Sequence, residues 1–173
     1  SSKGTKVNIN GETVTIKGSG SFDIKIDGNN VVIKAGKNAS SITFNNTKDL
    51  NVTVEKSDKA PTRSFSLTTG KGNDTVIVDD GAKVTTLNTG DGNDNVIVGE
   101  NATVSILNTG KGDDTVVNYG TVSGSISTAD GADAVLNKGT VKGNIYGDAG
   151  ADIIQNDGKV NLNIISGAGN DQI

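Results

Sequence analysis

Apolar residues recur at a fixed interval along the second half of this chain. Leu67, Leu87, Leu107, Ile126, Ile145 and Ile164 form one series. Val76, Val96, Val116, Val135, Ile154 and Ile173 form a second, nine residues behind the first. Between the two lies a polar, glycine-rich stretch. Its clearest copies are Gly70-Lys71-Gly72-Asn73-Asp74, Gly90-Asp91-Gly92-Asn93-Asp94 and Gly110-Lys111-Gly112-Asp113-Asp114. Looser copies end at Asp133, Asp152 and Asp171, so the aspartates step by 20, 20, 19, 19 and 19 residues. A period of this size marks a repeat architecture in which each unit buries its apolar face against the next. The pattern predicts an all-β chain, a parallel β-solenoid (a β-roll or β-helix) with one Gly/Asp-rich turn per coil over residues 67–173.

The glycine two before each aspartate (Gly72, Gly92, Gly112, Gly131, Gly150, Gly169) never varies. Such a position needs a positive φ or a close backbone approach. On the far side of the later coils, Asn118, Asn137 and Asn156 stand 19 apart. They are expected to stack and bond side chain to side chain, as asparagine ladders do in cross-β stacks. The earlier coils put Val78 and Val98 there and carry one residue more, which accounts for the change of step.

Residues 1–66 lack the motif. Short runs with strand character cover 6–10, 13–17, 22–26, 31–34, 41–44 and 51–55, separated by glycine turns. This region is read as degenerate coils or an N-terminal cap of the same solenoid, with a separate small β-sandwich as the other reading. Ala60-Pro61-Thr62 is the candidate linker, because proline cannot donate within a ladder.

Composition narrows the chemistry. The chain has no cysteine and no histidine, which excludes disulfides, thiolate sites and the commonest general base. Aromatics make up 3% of the 173 residues, too few for a conventional core but sufficient for stacked coils of small β-branched residues. No apolar run is long enough for a membrane span. Residues 1–69 carry a net charge of +4 and residues 70–173 a net of −8. An acidic, aromatic-poor chain without a basic stripe is a poor nucleic-acid partner.

Stacked coils lie about 4.8 Å apart. One aspartate per coil therefore makes a row of carboxylates. Two bare charges at about 5 Å repel by roughly 0.8 kcal/mol in water and about 3 kcal/mol at an effective dielectric of 20. A cation in the row would relieve this. Carboxylates and the carbonyls of a glycine turn are hard oxygen donors that suit Ca²⁺. Mg²⁺ demands a stricter octahedron, and zinc would want His or Cys.

The repeat resembles the calcium-binding RTX (haemolysin-type) repeat, Gly-Gly-x-Gly-x-Asp-x-apolar-x, in a long-period form similar to solenoids of bacterial surface adhesins. The likeness covers residues 67–173 and implies calcium between neighbouring coils. By that resemblance the first site uses Asp74 and Asp94 with the carbonyls of Thr69, Lys71, Gly90 and Gly92. The second uses Asp94 and Asp114 with Thr89, Asp91, Gly110 and Gly112. Thr109 and Lys111 continue the set, followed by Asp130, Gly131 and Asp133, then Gly150 and Asp152, then Gly169 and Asp171. Ala129 and Asp148 depart from the motif where a glycine is expected.

The resemblance implies a calcium-stabilised structural or adhesin solenoid, secreted or on the bacterial cell surface, without enzymatic activity. Expected partners are calcium ions and either further repeats or other copies joined end to end into filaments, since the chain stops in mid-repeat. Neither nucleic-acid binding nor membrane insertion is expected. Ice binding is an alternative, but the residues between the glycines read Lys71, Asp91, Lys111, Asp130, Ala149 and Ala168 rather than a threonine row. A polysaccharide-active β-helix is another, but Arg63 is the only arginine and there is no tryptophan. Paired acids such as Asp79-Asp80 and Asp113-Asp114 are read as solvated turn residues.

Overall fold

The computed structural model describes residues 4–173 and contains only strands and turns. The strands are β1 (Thr5–Ile9), β2 (Glu12–Ser19), β3 (Phe22–Asp27), β4 (Asn30–Ala35), β5 (Ser41–Phe44), β6 (Asn51–Val54) and β7 (Phe65–Thr68). Then come β8 (Thr75–Val78), β9 (Lys83–Asn88), β10 (Asn95–Val98), β11 (Thr103–Asn108), β12 (Thr115–Asn118), β13 (Thr121–Val122) and β14 (Ile126–Ser127). The last are β15 (Ala134–Asn137), β16 (Thr140–Val141), β17 (Ile145–Tyr146), β18 (Ile153–Asn156), β19 (Lys159–Val160) and β20 (Ile164–Ile165). No helix among the described residues is long and apolar enough to cross a membrane.

From β4 onward the chain winds as a parallel β-solenoid of about seven turns. Each coil gives one strand to an eight-stranded sheet, turns, gives strand to a twelve-stranded sheet, and returns through the Gly/Asp corner. Neighbouring coils are in register, apart from one shift between Phe65 and Leu67 where β7 meets β9. Val31, Val52, Val76, Val96, Val116, Val135 and Ile154 form one column, and Ile42, Leu67, Leu87, Leu107, Ile126, Ile145 and Ile164 form another. Alternate residues of a strand face opposite sides. The column residues therefore all point inward, and all but Ile164 are buried. Each such aliphatic side chain contributes about 1.5–3 kcal/mol by leaving water. That is how a chain nearly without aromatics holds a core.

The far-side asparagines form the expected ladder. Asn118 Nδ2 donates to Asn137 Oδ1 and Asn137 Nδ2 to Asn156 Oδ1, both at 2.8 Å. Val78 and Val98 hold the same register position in the earlier coils. The switch from valine to asparagine falls where the step shortens.

The first strands pair differently. β1 and β2 form an antiparallel hairpin around Asn10-Gly11, both at positive φ (53° and 79°). β2 then lies antiparallel to β5, and β3 antiparallel to β4. Ile9 and Val14 of the first hairpin join the same continuous core as the coils. Phe22 of β3 meets Phe65 of β7 edge to face, with ring centroids 5.0 Å apart. Ala60-Pro61-Thr62 is not a linker between domains. It lies in the connection between β6 and β7, whose strands belong to successive positions of the same stack. Arg63 Nε anchors that connection by donating to the carbonyl of Ala39 at 2.6 Å.

Candidate metal centre

Parity along the strand decides where the corner aspartate points. Asp74, Val76 and Val78 share one face, as do Leu67 and Thr69, and that face is the inside. The carboxylate row thus forms within the corner and not on its rim. Asp74, Asp94, Asp114, Asp133 and Asp152 are each no more than 2% exposed.

Every carboxylate is tied to the coil before it. Asp74 N–H donates to Asp94 Oδ1 at 2.7 Å, Asp94 N–H to Asp114 Oδ1 at 2.8 Å, and Asp114 N–H to Asp133 Oδ1 at 2.8 Å. Asp133 and Asp152 continue the chain of bonds to Asp152 and Asp171. The second oxygen, Oδ2, of Asp74, Asp94, Asp114, Asp133 and Asp152 is buried and has no hydrogen-bond partner. Five orphaned anionic oxygens at equivalent places in successive coils are costly, since a buried acceptor without a partner costs about 1–3 kcal/mol and a charged one more.

The titration behaviour reflects the same cost. Loss of hydration pushes the Asp94 carboxyl up to about 7, with the charges of Asp74 and Asp114 adding to the rise and the bond from the Asp74 backbone opposing it. Asp133 is pushed up to about 6, again first by burial. Asp74, Asp114 and Asp152 move upward for the same first reason.

Beside the carboxylates runs a column of buried threonines. Thr69 Oγ1 donates to the carbonyl of Thr89 at 2.9 Å, and Thr89 Oγ1 to that of Thr109 at 3.0 Å. The glycines close the corner. Gly92 and Gly112 adopt φ of 124° and 128°, and a Cβ on Gly112 would collide with the carbonyl oxygen of Gly92. Gly131, Gly150 and Gly169 share the conformation. Gly72 has a different φ but is held by close approach to Lys48. Ala129 and Asp148 take the left-handed conformation that Gly90 and Gly110 take at the same place, with φ of 65° and 72°.

The other residues expected at the site are divided. The side chains of Lys71, Asp91, Lys111 and Asp130 are exposed on the outside of the corner. Only their backbone belongs to it: the carbonyls of Lys111 and Asp130 accept from Gly92 and Gly112 at 2.8 and 3.0 Å. Gly90 O accepts the N–H of Lys111 at 3.1 Å. A carbonyl has two lone pairs, so each keeps one free. Asp148 is engaged on the outside, accepting from Ser127 Oγ at 2.6 Å. Asp171 is half-buried at the last corner.

Among the described residues no three Asp, Glu, His or Cys side chains cluster as a metal site. A cation in this column would therefore take at most two carboxylates and complete its shell with carbonyls, hydroxyls or water. That donor set is all oxygen and fits a hard ion of flexible coordination.

One corner residue is not evident from the motif. Asn46 is 1% exposed and reaches Asp74 across the coil boundary, its Nδ2 donating to Asp74 Oδ1 at 2.8 Å. Leu50 occupies the aspartate position there, its N–H donating to the same Oδ1 at 2.9 Å. The spacing 46 to 50 repeats the spacing 70 to 74, and that was the available signal.

No protein-family model matches the chain, and comparisons with curated proteins and with solved structures also give no match.

Proposed function

We propose that the protein is a calcium-binding, calcium-stabilised structural solenoid, secreted or displayed on a bacterial cell surface, and not an enzyme. The observation that carries this reading is the column of five buried Oδ2 atoms without partners. A cation between neighbouring carboxylates would supply the missing positive charge. Asp74 to Asp152 would hold it, together with the threonine and glycine-corner carbonyls. The likeness of the corner to the RTX repeat supports calcium over other hard ions.

Such a chain folds where calcium is abundant and stays open where it is scarce, because metal binding and folding are one equilibrium. This suits a rigid spacer or adhesin outside the cell. The outer rows of the eight-stranded sheet support contact with other copies: Thr75, Ile77, Asn95, Ile97, Thr115, Val117, Ala134 and Leu136 carry no charge and alternate with buried positions.

The test is a calcium titration followed by calorimetry and far-UV circular dichroism at pH 7.5, with magnesium as control and light scattering on the same samples. The expected result is heat of binding and a gain of β signal with calcium and not with magnesium. Rising scattering would mark an assembling fibre, and constant scattering a monomeric spacer. A chain fully folded in EDTA that takes up no calcium would overturn the reading.

A further inference from the structure

The carboxylate column does not run through the whole stack. It begins at Asp74, and the inside of the earlier coils holds no buried carboxylate: the buried polar residues described before Asp74 are Asn46, Ser57 and Thr69. The corner of residues 46–50 is a degenerate copy of the later ones. Asn46 O accepts the N–H of Lys71 at 2.7 Å just as Gly70 O accepts that of Asp91. Asn46 therefore stands at the first-glycine position and Leu50 at the aspartate position.

The Asn46 side chain is fully engaged. Its Nδ2 donates to Asp74 Oδ1 at 2.8 Å and to the carbonyl of Lys48 at 2.9 Å, and its Oδ1 accepts the N–H of Gly70 at 2.8 Å. Two acceptors on one side and one donor on the other fix the orientation of the amide. Two donors, Asn46 Nδ2 and the Leu50 N–H, thus converge on Oδ1 of the first carboxylate of the column, whose Oδ2 still faces the next coil without a partner. Each later carboxylate in the column receives only one backbone N–H from the coil before it.

We infer that Asn46 is a built-in, uncharged stand-in for a cation. It closes the column at its N-terminal end, so the coils before Asp74 fold without metal and template the metal-dependent coils after it. Asn46 acts as a positioning residue through Asp74, and the inference rests on the calcium reading above. It gives assembly a direction. The seed comprises β1 to β7, with the large apolar side chains Phe44, Leu50 and Phe65 at its centre.

The test uses the full chain. Hydrogen exchange read by mass spectrometry at pH 7.5 in EDTA is expected to leave residues 31–54 protected while 95–154 exchange freely. Calcium is expected to protect both. Asn46→Asp replaces the amide donor with a second carboxylate facing Asp74. It is expected to raise the calcium stoichiometry by one ion per chain and to make protection of 31–54 calcium-dependent. Asn46→Leu is expected to keep the wild-type stoichiometry and raise the calcium concentration needed for half-folding by about tenfold, the effect of losing one bond to a charged group. Unchanged stoichiometry in Asn46→Asp would overturn the inference. So would equally fast exchange of 31–54 and 95–154 in the EDTA-treated wild type, even if calcium binds, and that result would leave the calcium reading standing. A wild type that takes up no calcium and is protected throughout in EDTA would remove both.

Discussion

In the absence of any metal ion, the solenoid should lose stability as pH rises. Most proteins do the reverse in the acid range, because their carboxylates are paired or hydrogen-bonded in the fold and lose those partners on unfolding. Here the folded carboxyls are raised, from 3.8 to about 7 at Asp94 and to about 6 at Asp133. The folded chain therefore holds protons that the unfolded chain has released, and stability falls with pH wherever that is so. The favourable contribution is complete below about pH 4 and is lost as pH climbs toward 7. At 1.36 kcal/mol per pH unit the loss is about 4 kcal/mol from Asp94 and about 3 kcal/mol from Asp133. Their sum, about 7 kcal/mol, is comparable with the whole stability of a small domain. The assay is urea unfolding followed by circular dichroism in EDTA at intervals from pH 4.5 to 8. The midpoint should fall steadily toward neutral pH, and calcium at pH 8 should restore it. A midpoint independent of pH, or one that rises, would refute the claim that buried carboxylates without partners dominate the metal-free state.

Other outcomes follow from single positions. Asp114→Asn removes one charge from the middle of the column; in EDTA at pH 8 it should stabilise the fold by about 1–3 kcal/mol, while calorimetry shows fewer calcium ions bound. Ala129→Gly frees a residue held at φ 65° and should stabilise by about 1 kcal/mol in chemical denaturation. Asn137→Ala breaks the asparagine ladder in its middle and leaves the buried Asn118 amide without its partner, costing about 2–3 kcal/mol. A loss below 0.5 kcal/mol, about the effect of an ordinary surface change, would show the ladder to be incidental.

Much of this fold was legible because its information is periodic. The columns headed by Leu67 and Val76, the six corners and the asparagine ladder all follow from spacing alone. The inward direction of the aspartates was also legible: Asp74 lies two residues before Val76, and strand parity puts both on one face. The N-terminal hairpins were harder. Their strands stand near where β-branched residues predict, but periodicity does not say which strands run antiparallel. Asn10-Gly11 was the pertinent signal, since that pair favours the turn that closes a two-residue hairpin. The corner at Asn46 was hidden for a different reason. The excursion between β6 and β7 stretches the step from Leu50 to Asp74 to 24 residues, and leucine in the aspartate position removes the residue that defines the motif. The lack of partners at the five Oδ2 atoms follows from the packed corner and not from any spacing.

The bond from each aspartate N–H to the carboxylate of the following coil has a consequence for how such a molecule changes its length. Every corner presents the same donor to its successor and the same acceptor to its predecessor. A whole coil can therefore be duplicated or deleted without mending any other part, so growth comes in quanta of 19 or 20 residues. The boundary between Val98 and Asn118 restricts which quanta are interchangeable. A 19-residue coil inserted among the valine coils would carry an asparagine into an aliphatic column with no amide above or below it. Expansion is thus tolerated within each class of coil and penalised across the boundary, and the two classes behave as separate, internally extensible segments of one rod.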